Sequence, residues 1–110
     1  MKIMGENKGD MEKENQENPN EIVRLHIWVI GRVQGVGFRA FVLSAGTSLG
    51  LTGWVRNVGF DTVEALVEGK RSLVDQFINV VRIGPRASRV DNSRIEWENP
   101  TGEFRRFEVR

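Results

Sequence analysis

From Ile22 onward the chain alternates. Val23, Leu25, Ile27, Val29 and Val33 fall on one side of an extended backbone, and Arg24, His26 and Arg32 fall on the other. A period of two with β-branched content predicts a strand over residues 22–33. Trp28 and Ile30 break the pattern, because they fall on the side that should be polar. The period then changes. Phe38, Phe41, Val42, Ala45 and Leu49 recur at helical spacing, with Gly50 placed to end the helix they predict. Gly46 lies inside that helix, where it costs about 1 kcal/mol relative to alanine, and close packing against the sheet is the expected reason.

Leu51–Asn57 reads as a second strand and Thr62–Glu68 as a third, with Val63, Ala65 and Val67 on one face. The short turn Val58-Gly59-Phe60-Asp61 makes them a hairpin. Leu73, Val74, Phe77, Ile78 and Val81 mark a second amphipathic helix. Ser72, with Asp75 three residues later, resembles a capping box at its start, and Gly84-Pro85 stops it. Val90–Trp97 predicts a fourth strand, Pro100-Thr101-Gly102 a turn, and Phe104–Val109 a short last strand. The order β-α-β-β-α-β, with an extra C-terminal strand, predicts an α+β sandwich of ferredoxin-like topology. Its sheet is mostly antiparallel, with both helices on one face. By parity Trp28, Ile30, Trp54 and Leu66 fall on the other face. There they would form an apolar patch, a candidate surface for weak self-association of an otherwise monomeric protein.

Composition refines the boundaries. In residues 1–21 three lysines face six carboxylates, a net charge of −3, and Ile3 with three methionines is all there is to bury. Such a segment cannot offset its ordering entropy, so a disordered acidic leader is predicted ahead of one folded domain, residues 22–110. That domain carries thirteen basic and nine acidic side chains, a mild excess that favours a small anionic ligand. Over all 110 residues the net charge is +1, which gives no sign of a nucleic-acid or membrane partner. With no cysteine, disulfides, thiol catalysis and cysteine-ligated metal are excluded. No long apolar segment opens the chain, so neither a signal peptide nor a membrane span is expected, and a cytoplasmic location is the default. His26, the single histidine, reads as a strand-face residue rather than a ligand or base.

The chemistry concentrates between the first strand and the first helix, in Gly31-Arg32-Val33-Gln34-Gly35-Val36-Gly37-Phe38-Arg39. Three glycines in seven residues let the backbone turn tightly, and the helix that follows directs its N-terminal N–H groups at whatever the loop holds. An arginine closes the run, so an anion, and phosphate first, is the natural ligand. Gly35-x-Gly37-x-x-Ala40 also fits a dinucleotide fingerprint, but the chain is too short for a doubly wound sheet and the second strand ends in Asn57 rather than an acid. No Lys-Ser or Lys-Thr follows, which removes a P-loop. The aromatic residues of Gly37-Phe38-Arg39-Ala40-Phe41-Val42 lie on a loop and helix, whereas an RNA-recognition module needs them on its third strand.

The residues GRVQGVGFR, followed about ten residues later by GLTGWVRN, resemble the acylphosphatase family. The resemblance runs from about Leu25 to Arg110. It takes in Val63-Glu64, Glu68-Gly69, Gly84-Pro85, Thr101-Gly102-Glu103-Phe104 and Phe107-Glu108. It implies hydrolysis of acyl phosphates to a carboxylate and inorganic phosphate, with no metal, cofactor or covalent intermediate. By the same resemblance Arg39 is the phosphate-binding arginine and Asn57 the water-positioning asparagine. Backbone N–H groups of Gln34, Gly35, Val36, Gly37 and Phe38 would cradle the phosphoryl oxygens. A non-catalytic anion-binding module of the same fold is the alternative. Family members usually carry Pro-Asp-Gly or similar after the asparagine, whereas Gly59-Phe60-Asp61 stands here, with Asp61 where glycine is usual.

Overall fold

The alternating first segment becomes the second strand in from one edge of a five-stranded sheet. The computed structural model describes residues 18–110. Its elements are β1 (Ile22–Arg32), α1 (Phe38–Ser48), β2 (Thr52–Val58), β3 (Thr62–Lys70), α2 (Arg71–Ile83), β4 (Arg89–Glu98) and β5 (Phe107–Val109). The sheet order is β4-β1-β3-β2-β5. All pairings are antiparallel except β5, which lies parallel to β2. This is the ferredoxin-like α+β architecture expected, with β5 three residues long rather than six.

Parity decides what each face carries. Leu25, Ile27, Val29, Val55, Val63, Ala65 and Val67 point to the helix side, where they meet Phe38, Val42, Val74, Phe77 and Val81 in one buried cluster. Burying each large side chain is worth about 1.5–3 kcal/mol, so this single layer carries most of the stability.

The start of α2 corrects the capping box expected at Ser72. The helix begins at Arg71 after Lys70, with no side-chain cap, and Asp75 instead pairs with Arg71 at 3.3 Å. The helix-end N–H groups find carbonyl partners far away in sequence. Arg71 N–H donates to the Glu21 carbonyl at 2.9 Å, and Ser72 N–H donates to the Pro19 carbonyl at 3.0 Å. Residues 1–17 of the expected leader lie outside the described residues. Among those that are described, no helix is long and apolar enough to cross a membrane.

The open face is a lattice of paired charges around indoles. Trp54 is 8% exposed and Leu66 5%. The guanidinium groups of Arg56 and Arg110 lie 5.1 and 5.3 Å from the Trp54 ring, and that of Arg94 lies 4.1 Å from Trp28. His26 stacks on Trp28, with ring centroids 3.9 Å apart. Its Nε2 and Nδ1 lie 2.6 Å from Glu64 and 3.1 Å from Glu98. The apolar patch read from parity is therefore largely covered by the protein's own cations. At one end of this face, buried Glu68 accepts the N–H groups of Thr101 at 2.8 Å and Gly102 at 3.0 Å, which ties the β4–β5 connection to the sheet.

Candidate active site

The site forms where β1 ends, α1 begins and the β2–β3 hairpin turns. Val29, Val63 and Asn57 lie in one row across β1, β3 and β2. Asn57 is thus about two strand spacings, roughly 10 Å, from β1. It has the parity of Val55, so its side chain faces the helix side, on the same side of the sheet as α1.

The loop turns through two left-handed glycines, Gly35 at φ 73° and Gly37 at φ 76°. A Cβ at either would meet no neighbour, so the requirement is one of backbone conformation rather than of space. Gly37 is also the residue before α1, and it offers no side chain to cap the helix. The first intrahelical bond runs from the Phe41 N–H to the Gly37 carbonyl at 3.0 Å. The N–H groups of Phe38, Arg39 and Ala40 consequently have no intrahelical acceptor, and the positive end of the helix dipole is left open. Phe38 anchors this turn by burying its ring in the core.

Val33, Gln34, Gly35, Gly37, Phe38, Arg39, Ala40 and Asn57 line one cavity of about 210 Å³. Every predicted site residue except Val36 is among them. Val36 instead packs, half-buried, against the core. Val33 and Ala40 were not singled out from sequence. Both stand inside the motifs read from the sequence, Val33 in the glycine run and Ala40 at the end of the Gly35-x-Gly37-x-x-Ala40 pattern, without being assigned to the site. The side chain of Gln34 was missed as well. Its Nε2 donates to the carbonyls of Gly59 at 3.0 Å and Thr62 at 3.1 Å, with Val58 at 3.4 Å. Its partners are backbone groups 24 to 28 residues away, and no sequence signal could have marked them.

Two polar groups in the cavity stand out for what they lack. Arg39 is exposed and, among the described residues, has no carboxylate partner. Asn57 Oδ1 is shielded from solvent and, among the described residues, accepts no hydrogen bond. A half-turn of the carboxamide exchanges its acceptor and donor ends, so the side chain can present either to the cavity.

A larger cleft of about 340 Å³ lies elsewhere, between Glu103, Phe104, Arg105, Arg106, Glu108 and Arg110. Its charges are mostly matched internally, Arg106 and Arg110 both lying within 4.0 Å of Glu108. That leaves a weaker case for an anion there. The group of side chains among the described residues close enough to share a metal ion is His26, Glu96 and Glu98. It lies on the open face, away from the loop, and both His26 nitrogens already face carboxylates.

Fold and cavity together define a small α+β sandwich with a cavity at a helix N-terminus whose donors suit an anion. The family model described as Acylphosphatase matches residues 25–109. A protein named acylphosphatase from Trichormus variabilis is 43% identical over 96 residues, covering 87% of this chain and 94% of that one. Another of that name from Syntrophotalea carbinolica is 48% identical over 88 residues, covering 80% of this chain and 96% of that one. The crystal structure of acylphosphatase from Bacillus subtilis is similar with a TM-score of 0.76 at 34% identity, covering 79% of this chain and 97% of that one. The chain belongs to the acylphosphatase family.

Proposed function

We propose that the protein hydrolyses acyl phosphates to a carboxylate and inorganic phosphate, using water oriented by Asn57 and a phosphoryl group held by Arg39 and the loop N–H groups. The observation that carries this is the meeting, in one cavity, of Arg39, which has no carboxylate partner among the described residues, and Asn57, whose Oδ1 meets no donor among them. The reaction forms a bond from water oxygen to phosphorus and breaks the bond from phosphorus to the acyl oxygen. The water protons leave with phosphate or to solvent, and the acyl oxygen departs as a carboxylate.

The chemistry asks little of the protein. A carboxyl-phosphate is a mixed anhydride whose leaving group is already a weak base, so no strong general acid is required. What remains is positioning and charge neutralisation over the equatorial oxygens. Arg39 supplies a planar fork of donors that stays charged, and the N–H groups of Phe38, Arg39 and Ala40 add fixed dipoles. Asn57 orients water without titrating, and no serine, cysteine or histidine nucleophile is called on. The proposal also routes no step through a metal.

A mute anion-binding module of the same fold is the second reading. Asn57 favours the enzyme. An unpaired acceptor beside an anion repels it, unless a donor such as water stands between them. The test is ultraviolet loss of benzoyl phosphate, with a chelator present. Wild type is expected to turn over, and Arg39→Ala to lose roughly 30- to 1,000-fold in kcat/KM. Arg39→Lys is expected to recover only part, because an ammonium cannot reproduce the fork. Turnover by Arg39→Ala at the wild-type rate would overturn the mechanism.

A further inference from the structure

The Gln34 side chain does something its backbone does not. Its amide nitrogen has two protons and three carbonyls within reach, those of Gly59 at 3.0 Å, Thr62 at 3.1 Å and Val58 at 3.4 Å. Val58 directly follows Asn57, and Thr62 opens β3, so these carbonyls span the whole turn. One side chain of the phosphate loop therefore grips the hairpin that carries the water-orienting residue. A second tie joins the same two regions farther back, where Gly31 N–H donates to the Asp61 carbonyl at 2.9 Å.

The hairpin is laddered up to the Val58–Thr62 pair, but its tip packs against little. Phe60 at its tip is 87% exposed and contributes no packing, and Gly59 turns the chain at φ 61°. Across the cavity, Arg39 and the N–H groups of Phe38 and Ala40 are carried by α1, whose position Phe38 sets by its burial. The proposed phosphoryl and water groups are thus assigned to two separate elements, and the Gln34 side chain joins one to the other.

We infer that Gln34 is a positioning residue that acts through its side chain on Asn57, fixing where the attacking water stands relative to the bound phosphoryl group. This rests on the reading of Asn57 given under the proposed function. In-line attack is sensitive to such spacing, since a misplacement of about 1 Å can cost on the order of 100-fold. Phosphate binding, in contrast, depends on Arg39 and on backbone N–H groups, that of Gln34 included, which a change of the Gln34 side chain leaves in place.

The test is a double-mutant cycle on benzoyl phosphate hydrolysis, with competitive inhibition by inorganic phosphate measured alongside. Gln34→Met keeps the length of the side chain and removes its donors. It is expected to lower kcat by about 10- to 100-fold and to leave phosphate inhibition within about twofold of wild type. In an Asn57→Ala background the same substitution is expected to cost nothing further, because the group it positions is gone. An unchanged kcat in Gln34→Met, losses that multiply in the double variant, or phosphate inhibition that weakens in step with kcat would each overturn the inference. Wild-type turnover by Asn57→Ala would instead refute the reading beneath it. If Gln34→Met does not fold, Gln34→Asn carries the same comparison, since it keeps the amide but withdraws it from the carbonyls by one methylene.

Discussion

The ring of Phe107 on β5 fills the space that a side chain on Gly46 of α1 would need. A Cβ at Gly46 would overlap two ring carbons, so the helix and the short C-terminal strand can approach only because that position is bare. This accounts for a glycine in the middle of a helix. Alanine would gain about 1 kcal/mol in helix propensity, but overpacking a filled site costs typically 1–3 kcal/mol and here meets a ring directly. Gly46→Ala is therefore expected to lower the urea midpoint with an unchanged slope. Adding Phe107→Ala should make the double variant less destabilised than the two single losses combined. A Gly46→Ala protein more stable than wild type would contradict this packing.

Glu64 predicts an acid-side dependence of stability. Burial of its carboxyl pushes the pKa up. Hydrogen bonds from Arg56 at 2.7 Å and His26 at 2.6 Å, with the charges of both, outweigh burial and leave it below the ordinary glutamate value. A folded-state pKa below the unfolded one means that the unfolded chain binds more protons in between. The contribution is then complete above the unfolded value and is lost as pH falls through the folded one. Urea midpoints of wild type and Glu64→Gln should differ most above about pH 5 and converge below it. Parallel curves would show that Glu64 carries no such linkage.

Arginine cover predicts the behaviour of the open face. With Arg94 over Trp28 and Arg56 and Arg110 over Trp54, little free apolar surface is left to drive association. Wild type is expected to sediment as a monomer. Replacing Arg56 and Arg94 by serine should produce concentration-dependent association by uncovering the indoles. A wild-type dimer at micromolar concentration would contradict this.

What the sequence revealed, and what it hid, divides by range. The alternation of Val23 to Val29 placed β1, and the spacing of Phe38 to Leu49 placed α1, because those patterns are local. The grouping of Arg39 with Asn57 came from two motifs, and the structure brings both side chains to one cavity. Contacts across long stretches of chain were not legible. Ser72 has the look of a cap, yet Pro19 and Glu21 supply the acceptors from fifty or more residues away. Gly46 was legible as an anomaly, but its partner Phe107 was not. Trp28 and Trp54 read as a bare patch because the arginines that cover them come from β2, β4 and the C-terminus. The Gln34 tie is hidden in the same way, since backbone carbonyls leave no mark in a sequence.

The most direct test of the account is the Asn57→Ala variant, assayed for kcat on benzoyl phosphate and, in the same preparation, for inhibition by inorganic phosphate. If Asn57 orients water while Arg39 and the loop N–H groups hold the phosphoryl group, kcat falls roughly 30- to 1,000-fold and phosphate inhibition stays within about twofold of wild type. Turnover at the wild-type rate, or a loss of phosphate inhibition matching the loss of kcat, would contradict that division of labour.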